Sequence, residues 1–271
     1  MITLSNLTYY PIKACRGFDL AEARVERMGL ANDRRMMVVT LEGEFLTQAE
    51  HAKLALVTPA MIDDTITLSA PNFDSLRFTI KKTGAISLVN IWESKNVHAI
   101  DQGAKTARWL SDWLGVSVRL VHIANGFKRR LNSDFAVSAE DQIGFADDYP
   151  ILLISEASLR DLNSKLDSPQ GAVPVLPMNR FRPNIVVQNC EPFAEDTWKR
   201  IKIGDVEMAL INPAPRCLVT TIDKETLEKS KEPLKTLSTY RKQKGGVMFG
   251  MHVIPLNEGE IKIGMRVEIL E

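Results

Sequence analysis

Short runs of strand-forming residues, each closed within a few positions by Gly, Asn or Asp, recur from one end of this chain to the other. Such punctuation limits the fold more than any single motif, because a short β-branched or aromatic run crosses a sheet once and must then turn. Residues 3–10, 35–40 and 64–69 are the clearest runs in the first part, and residues 118–123, 150–154 and 185–188 follow. Gly204 and Asp205 mark the tip of an expected hairpin, a strand is expected to lead on from Cys217, and a pair of strands is expected to close the chain about Gly264. Many short strands imply a barrel or a strongly bent sheet.

Two segments break the pattern. Over residues 101–114, Ala104, Ala107, Leu110 and Trp113 or Leu114 recur at helical spacing, an Asp stands near the start, and Gly115 supplies the stop. A second helix is expected from Ser155, with Leu159, Leu162 and Leu166 on one face, and its N-terminus favours an anion. The expected fold class is α+β: mainly β with a few helices, a β-rich domain over residues 1–122 and a β-barrel domain over residues 123–271. Residues 125–148 read as a long polar loop of the kind that forms lids or binding loops, with Lys128, Arg129 and Arg130 in solvent. Residues 223–246 read as a charged insertion that projects from the barrel with one helical turn, anchored only by Leu227, Leu234, Leu237 and Tyr240.

Charge narrows the partners. Lys and Arg number 34, as do Asp and Glu, so no overall field draws the chain to nucleic acid or to an anionic membrane. No apolar run is long enough to cross a bilayer, and the N-terminus lacks the basic start of a signal peptide. A small-molecule ligand is expected. The cysteines, Cys15, Cys190 and Cys217, are odd in number and far apart, which points to a reducing compartment, the cytoplasm by default. Without a C-x-x-C pair they cannot supply an iron–sulfur cluster or a structural zinc site. His51, His98, His122 and His252 are isolated as well, so each is read as a surface or internally satisfied residue. There is no dinucleotide-binding glycine motif and no P-loop, and pyridoxal phosphate is not expected.

Cys217 is the residue best placed for chemistry. It lies in the stretch APRCLVTTID beside Arg216, whose guanidinium favours a thiolate, and Pro213 and Pro215 stiffen the approach. The other reading is a buried cysteine acting as a small apolar residue, and a cysteine hydrolase would need a histidine brought near by the fold. Arg182 and Asn184 flank Pro183 at the entrance to the strand 185–188. A guanidinium grips phosphate or carboxylate oxygens, and an Asn amide reads a heterocycle edge; the alternative pairs Arg182 with Glu195 or Asp196. The first strand delivers Lys13 into a turn closed by Gly17, while Arg34 and Arg35 are expected on opposite faces of the next strand, one toward a site and one toward solvent.

Taken in order, YPIKACRG from Tyr10, DRRMMVV from Asp33, FLTQAEHAKLALV from Phe45, FADDYPILLISEASLRDLN from Phe145, FRPNIVV from Phe181, FAEDTWKRIKIGDVE from Phe193 and RCLVTTID from Arg216 resemble the MOSC-domain family. More narrowly, they look like the branch with an N-terminal β-barrel extension, to which the mitochondrial amidoxime-reducing component and its bacterial relatives belong. The resemblance spans nearly the whole chain and implies a MOSC-type β-barrel behind a β-rich N-terminal subdomain.

It also implies a molybdenum enzyme that reduces N-hydroxylated substrates such as amidoximes, hydroxylamines and N-hydroxylated bases. By that likeness Cys217 ligates molybdenum held by molybdopterin, a soft thiolate suiting such a centre. Lys13, Ala14, Arg34, Arg182 and Asn184 would bind the pterin and its phosphate. Asp147, Asp148 and Tyr149 would line it, the two aspartates also as candidates for proton delivery, and Arg216 would buttress the thiolate. Ala14 stands where serine is frequent, Ala214 where cysteine is, and KETLEKS after Asp223 lacks the usual proline and glycine. Some relatives continue into a ferredoxin domain, so for a chain ending at Glu271 electrons are expected from a separate ferredoxin-, flavodoxin- or cytochrome-type protein. The rival is a module that carries cofactor or sulfur without turnover.

Overall fold

The short runs assemble into one large sheet and three small ones in a computed structural model that describes residues 1–131, 136–166 and 175–271. Part of the loop expected over 125–148 lies outside the described residues. The large sheet has nine strands, ordered Val267–Ile269, Arg200–Ile203, Val206–Pro215, Gly246–Pro255, Ile151–Ser155, Ile185–Gln188, Thr3–Tyr9 and Phe18–Leu20, with Lys242–Gln243 added beside Gly246–Pro255. Its one parallel pairing joins Ile151–Ser155 to Ile185–Gln188, and a parallel neighbour needs a crossover, in which helix Glu156–Lys165 lies. Ser155 opens that helix by accepting from the Ser158 N–H at 3.0 Å. The expected anion there comes from the chain itself: buried Glu195 accepts from the Ser155 N–H and the Ser158 hydroxyl.

Thr3–Tyr9 pairs with Ile185–Gln188, so the sheet takes strands from both ends of the sequence. Leu4 and Leu7 enter one core with Leu153, Val187, Ile201 and Val253. A small sheet of Gly259–Lys262, Glu22–Glu26 and Gly29–Leu30 adds Ile261, Val25 and Leu30 to that core, and the whole forms a half-barrel. Gly250 has φ 82°, and a Cβ there would lie 2.8 Å from the Leu153 carbonyl oxygen, so glycine is what lets the two central strands approach. The hairpin at Gly204 and Asp205 forms as expected, with Ile203 opposite Val206.

The rest of the first half holds a four-stranded sheet of Met36–Thr40, Val118–Ile123, Ser94–Asp101 and Ile86–Ile91, and a three-stranded sheet of Thr58–Ile62, Thr65–Ala70 and Phe73–Thr79. Helix Ala104–Leu114 packs Trp109 and Leu110 against Leu54, Ile66 and Leu120. It stops at Gly115 in the left-handed conformation, φ 77°.

Several local expectations change. Val206–Pro215 leads into Cys217, but a 3-10 turn, Leu218–Thr221, leads away from it in place of a strand. The Thr220 and Thr221 hydroxyls donate back to the Cys217 and Leu218 carbonyls, local bonds that compete with a ladder. The strands flanking Gly264 pair with Glu22–Glu26 and Arg200–Ile203, not with each other. Arg35 is only 6% exposed, donating to Glu26 and to the Met28 and Asp33 carbonyls. The strand starts one residue later, at Met36, and Arg34 turns in the left-handed region at φ 47°, so strand alternation does not apply to this pair. Arg129 is buried too, its guanidinium holding the Gly144 and Ala146 carbonyls. Residues 223–246 do not project: Glu225 pairs with Arg16, Lys229 donates to the Ala49 carbonyl, and the expected helical turn is Leu234–Ser238, with Leu237 fully buried.

Candidate functional site

Beyond Tyr9 the first strand runs out and Tyr10, Pro11 and Ile12 carry the chain to Lys13, on the wall of a cavity of about 570 Å³. Tyr10, 2% exposed, underlies that wall. The Arg182 guanidinium lies 4.2 Å from its ring centroid and that of Arg34 4.5 Å, so the ring's quadrupole holds two cations that burial has stripped of water. Its hydroxyl donates to the Pro183 carbonyl at 3.1 Å, and burial pushes its pKa up to about 12.

Arg34 donates to Asp33 at 2.6 Å, to Asn184 Oδ1 at 3.1 Å and to the Arg182 carbonyl at 3.2 Å. Asn184 is buried; its Oδ1 also accepts from the Leu152 N–H, and its amide donates to the Thr8 carbonyl. Arg182 donates to the Cys15 carbonyl at 2.7 Å. Glu195 and Asp196, the alternative partners, are taken by the serines at the helix start and by Arg241. Among the described residues, Nη2 of Arg182 is buried without a partner.

Lys13 pairs with Asp147, whose carboxylate also accepts from the Trp92 indole at 2.7 Å. Enclosure pushes the Asp147 carboxyl upward, but Lys13, Trp92 and Arg34 together outweigh it and hold it well below the usual carboxylate range. Asp148 goes the other way, raised by burial and by the charge of Asp147, which Lys13 and Arg129 only partly offset. Tyr149 stacks on His252 with centroids 4.4 Å apart, and Asn212 bridges the Tyr149 hydroxyl and His252 Nδ1. Burial, then Arg216, pushes His252 down to about 3. A histidine held neutral so firmly is a poor general base, which counts against the hydrolase reading.

Cys217 is exposed on the cavity's edge. Arg216 beside it donates to the Phe181 carbonyl at 2.7 Å, has a buried Nε without a partner among the described residues, and is pushed by burial to about 10. Lys13, Ala14, Arg34, Asp147, Asp148, Tyr149, Arg182, Asn184, Arg216 and Cys217, the residues singled out in the sequence, all line this one cavity. Ala14, Arg34, Trp92 and Arg182, all on its wall, have φ of 67°, 47°, 50° and 59°. Left-handed backbone in such residues is uncommon and collects at functional sites.

The arrangement fits an anionic group carrying a soft metal. On the cavity wall, two buried guanidinium donors, at Arg182 and Arg216, lack partners among the described residues, and one thiol stands open on the same cavity. No group of three or more His, Cys, Asp or Glu among the described residues could hold a metal ion, so a metal at Cys217 must bring its other ligands with it. Residue types alone did not mark Trp92, Gln48 or His252 as part of the cavity, nor Tyr10 as the ring beneath its wall. Tyr10 directly before Pro11, three positions ahead of Lys13, was the available signal.

Residues 1–117 match the MOSC N-terminal beta barrel domain and residues 140–268 the MOSC domain. The chain is 35% identical over 286 residues to mitochondrial amidoxime-reducing component 1 of Homo sapiens, covering 99% of this chain and 83% of that one. It is 33% identical over 282 residues to mitochondrial amidoxime reducing component 2 of Bos taurus, covering 97% and 81%. A molybdenum cofactor sulfurase of Arabidopsis thaliana is 33% identical over 268 residues, covering 91% of this chain and 32% of that protein. No helix among the described residues is long and apolar enough to cross a membrane. With both domains present in order and relatives aligned over nearly its full length, the chain belongs to the MOSC family, the MOSC N-terminal beta barrel domain preceding the MOSC domain.

Proposed function

We propose that this chain binds a molybdenum–molybdopterin cofactor and reduces N-hydroxylated small molecules such as amidoximes, hydroxylamines and N-hydroxylated bases. The observation that carries the proposal is one exposed thiol, Cys217, at the edge of a cavity whose wall holds buried guanidinium groups with unmet donors. The relatives' names, amidoxime-reducing component and molybdenum cofactor sulfurase, support it. When bound, the cofactor supplies a two-electron centre for cleaving the N–O bond, with Cys217 as its protein ligand.

The residues of the chain bind and orient. Arg182 and Arg216 offer their unpaired donors to anionic oxygens, and Lys13 and Arg34 add positive charge that Asp147 and Asp33 hold in place. Ala14, in its left-handed turn, and Asn184 shape the wall. Asp147, held ionised, orients Lys13 and Trp92. Asp148, its carboxyl raised, is the better placed of the two to deliver a proton to the departing oxygen. Two electrons and two protons are consumed for each N–O bond broken, and water leaves. The electrons come from a separate ferredoxin-, flavodoxin- or cytochrome-type protein, and the three free cysteines support a cytoplasmic setting.

The test is turnover. Protein purified from cells that make the cofactor is given an aryl amidoxime and a chemically reduced electron donor, and amidine formation is measured. Amidine at a rate that scales with protein supports the proposal. Bound pterin and metal with no product under any donor would replace it with the carrier reading.

A further inference from the structure

Lys224 is a buried charge for which the proposed chemistry has no use. It is 9% exposed and lies in the stretch after Asp223 that departs from the family's pattern. Its ammonium donates to Gln48 Oε1 at 2.8 Å and to the Val219 carbonyl at 3.0 Å. Gln48, 2% exposed, donates in turn to the Ala14 carbonyl. Ala14, Gln48 and Val219 come from three distant segments, and all three line the cavity. Val219 belongs to the 3-10 turn that starts on Cys217. One buried ammonium therefore ties together three pieces of the cavity wall, including the turn that carries the thiol.

A role in stability alone does not explain a charge at this position. Burial first, then the nearby Arg182 and Arg180, pulls Lys224 from the usual lysine value down to about 7. A neutral donor escapes both penalties, whereas an apolar side chain of similar length escapes them but leaves Gln48 Oε1 and the Val219 carbonyl unpaired. We propose that Lys224 is a positioning residue for Cys217, fixing through Val219 and Gln48 the turn on which the thiol stands. The inference rests on Cys217 being the working group, but it needs no metal to be bound.

The test uses the full-length chain purified from cells that make no pterin. Iodoacetamide alkylation of Cys217 is measured by peptide mass spectrometry relative to Cys190, a half-buried cysteine elsewhere in the fold, and melting temperatures are recorded alongside. Lys224→Met is expected to shift the Cys217/Cys190 rate ratio at least about threefold, since thiol reactivity follows local charge and access, and to lower the melting temperature modestly, because Gln48 Oε1 and the Val219 carbonyl lose their donor. Lys224→Arg, which keeps charge and donors, shifts the ratio less. An unchanged ratio in Lys224→Met overturns the proposal. So does a Met variant that fails to fold, or an Arg variant that moves as far as the Met variant. A wild type that takes up no molybdenum in cofactor-making cells would sink the cofactor reading and leave this ratio untouched.

Discussion

The cationic wall and the Cys217 turn face the same cavity but are held in opposite ways. On the wall nearly every polar group has a protein partner: Arg34 has three acceptors, Asn184 bonds three backbone or side-chain groups, and both Arg34 and Arg182 lie over Tyr10. The turn exposes Leu218, at 66%, while Thr220 and Thr221 are buried. Short local bonds hold it, one of them from the Lys224 ammonium five residues beyond Val219. Long-range contacts set the wall, whereas bonds within its own segment hold the turn, which suits electrostatic binding on one side and ligand chemistry on the other.

Removing a wall cation should break the comparison most visibly. Arg182→Ala deletes a charge-assisted donor, so pterin retained after purification should fall about 10- to 100-fold, the scale of such a bond; near-normal retention would mean the wall does not bind the anion. Next comes the platform. Tyr10→Leu removes two cation–π contacts and a hydrogen bond and should destabilise the fold by about 2–3 kcal/mol in urea denaturation. Tyr10→Phe keeps the ring, loses only the bond to Pro183, and should cost about 1 kcal/mol. Equal costs for the two variants would show that the ring does not hold the guanidiniums.

The smallest effect is in acid. His252 and His122 are held at about 3 and about 4 in the fold, against 6.5 for the ordinary group. The unfolded chain therefore takes up protons first as pH drops. Their contribution to stability is intact above pH 6.5 and declines as pH falls toward the folded values. Melting temperatures between pH 7.5 and 5 should decline less in His252→Phe, which keeps an aromatic stack on Tyr149, than in wild type. An identical slope would mean that His252 protonates in the fold.

What the sequence revealed follows the range of the interactions. The Ser155 cap, the Gly115 stop and the Gly204–Asp205 hairpin are local, and each appears where its residues predict. Lys13, Arg34, Arg182 and Cys217 were found through ordered motifs, and they converge on one cavity. The platform was not legible, because the bond from Tyr10 to Pro183 spans 173 positions and the bond from Arg182 to Cys15 spans 167. Arg129 and Arg35 defeated a composition-based reading because most of their acceptors are backbone carbonyls, which no residue type signals, at Gly144 and Ala146 for Arg129 and at Met28 and Asp33 for Arg35. The turn after Cys217 misled because Val and Thr favour strands in general, while these threonines satisfy their own backbone.

The division of labour between wall and turn is tested most directly by molybdenum and pterin content, measured together on Cys217→Ser from cofactor-making cells. A hard hydroxyl in place of the soft thiolate should lower molybdenum from about one per chain to below about a tenth, while pterin stays near the wild-type level because the wall is intact. A variant that keeps molybdenum at the wild-type ratio would contradict Cys217 as the ligand.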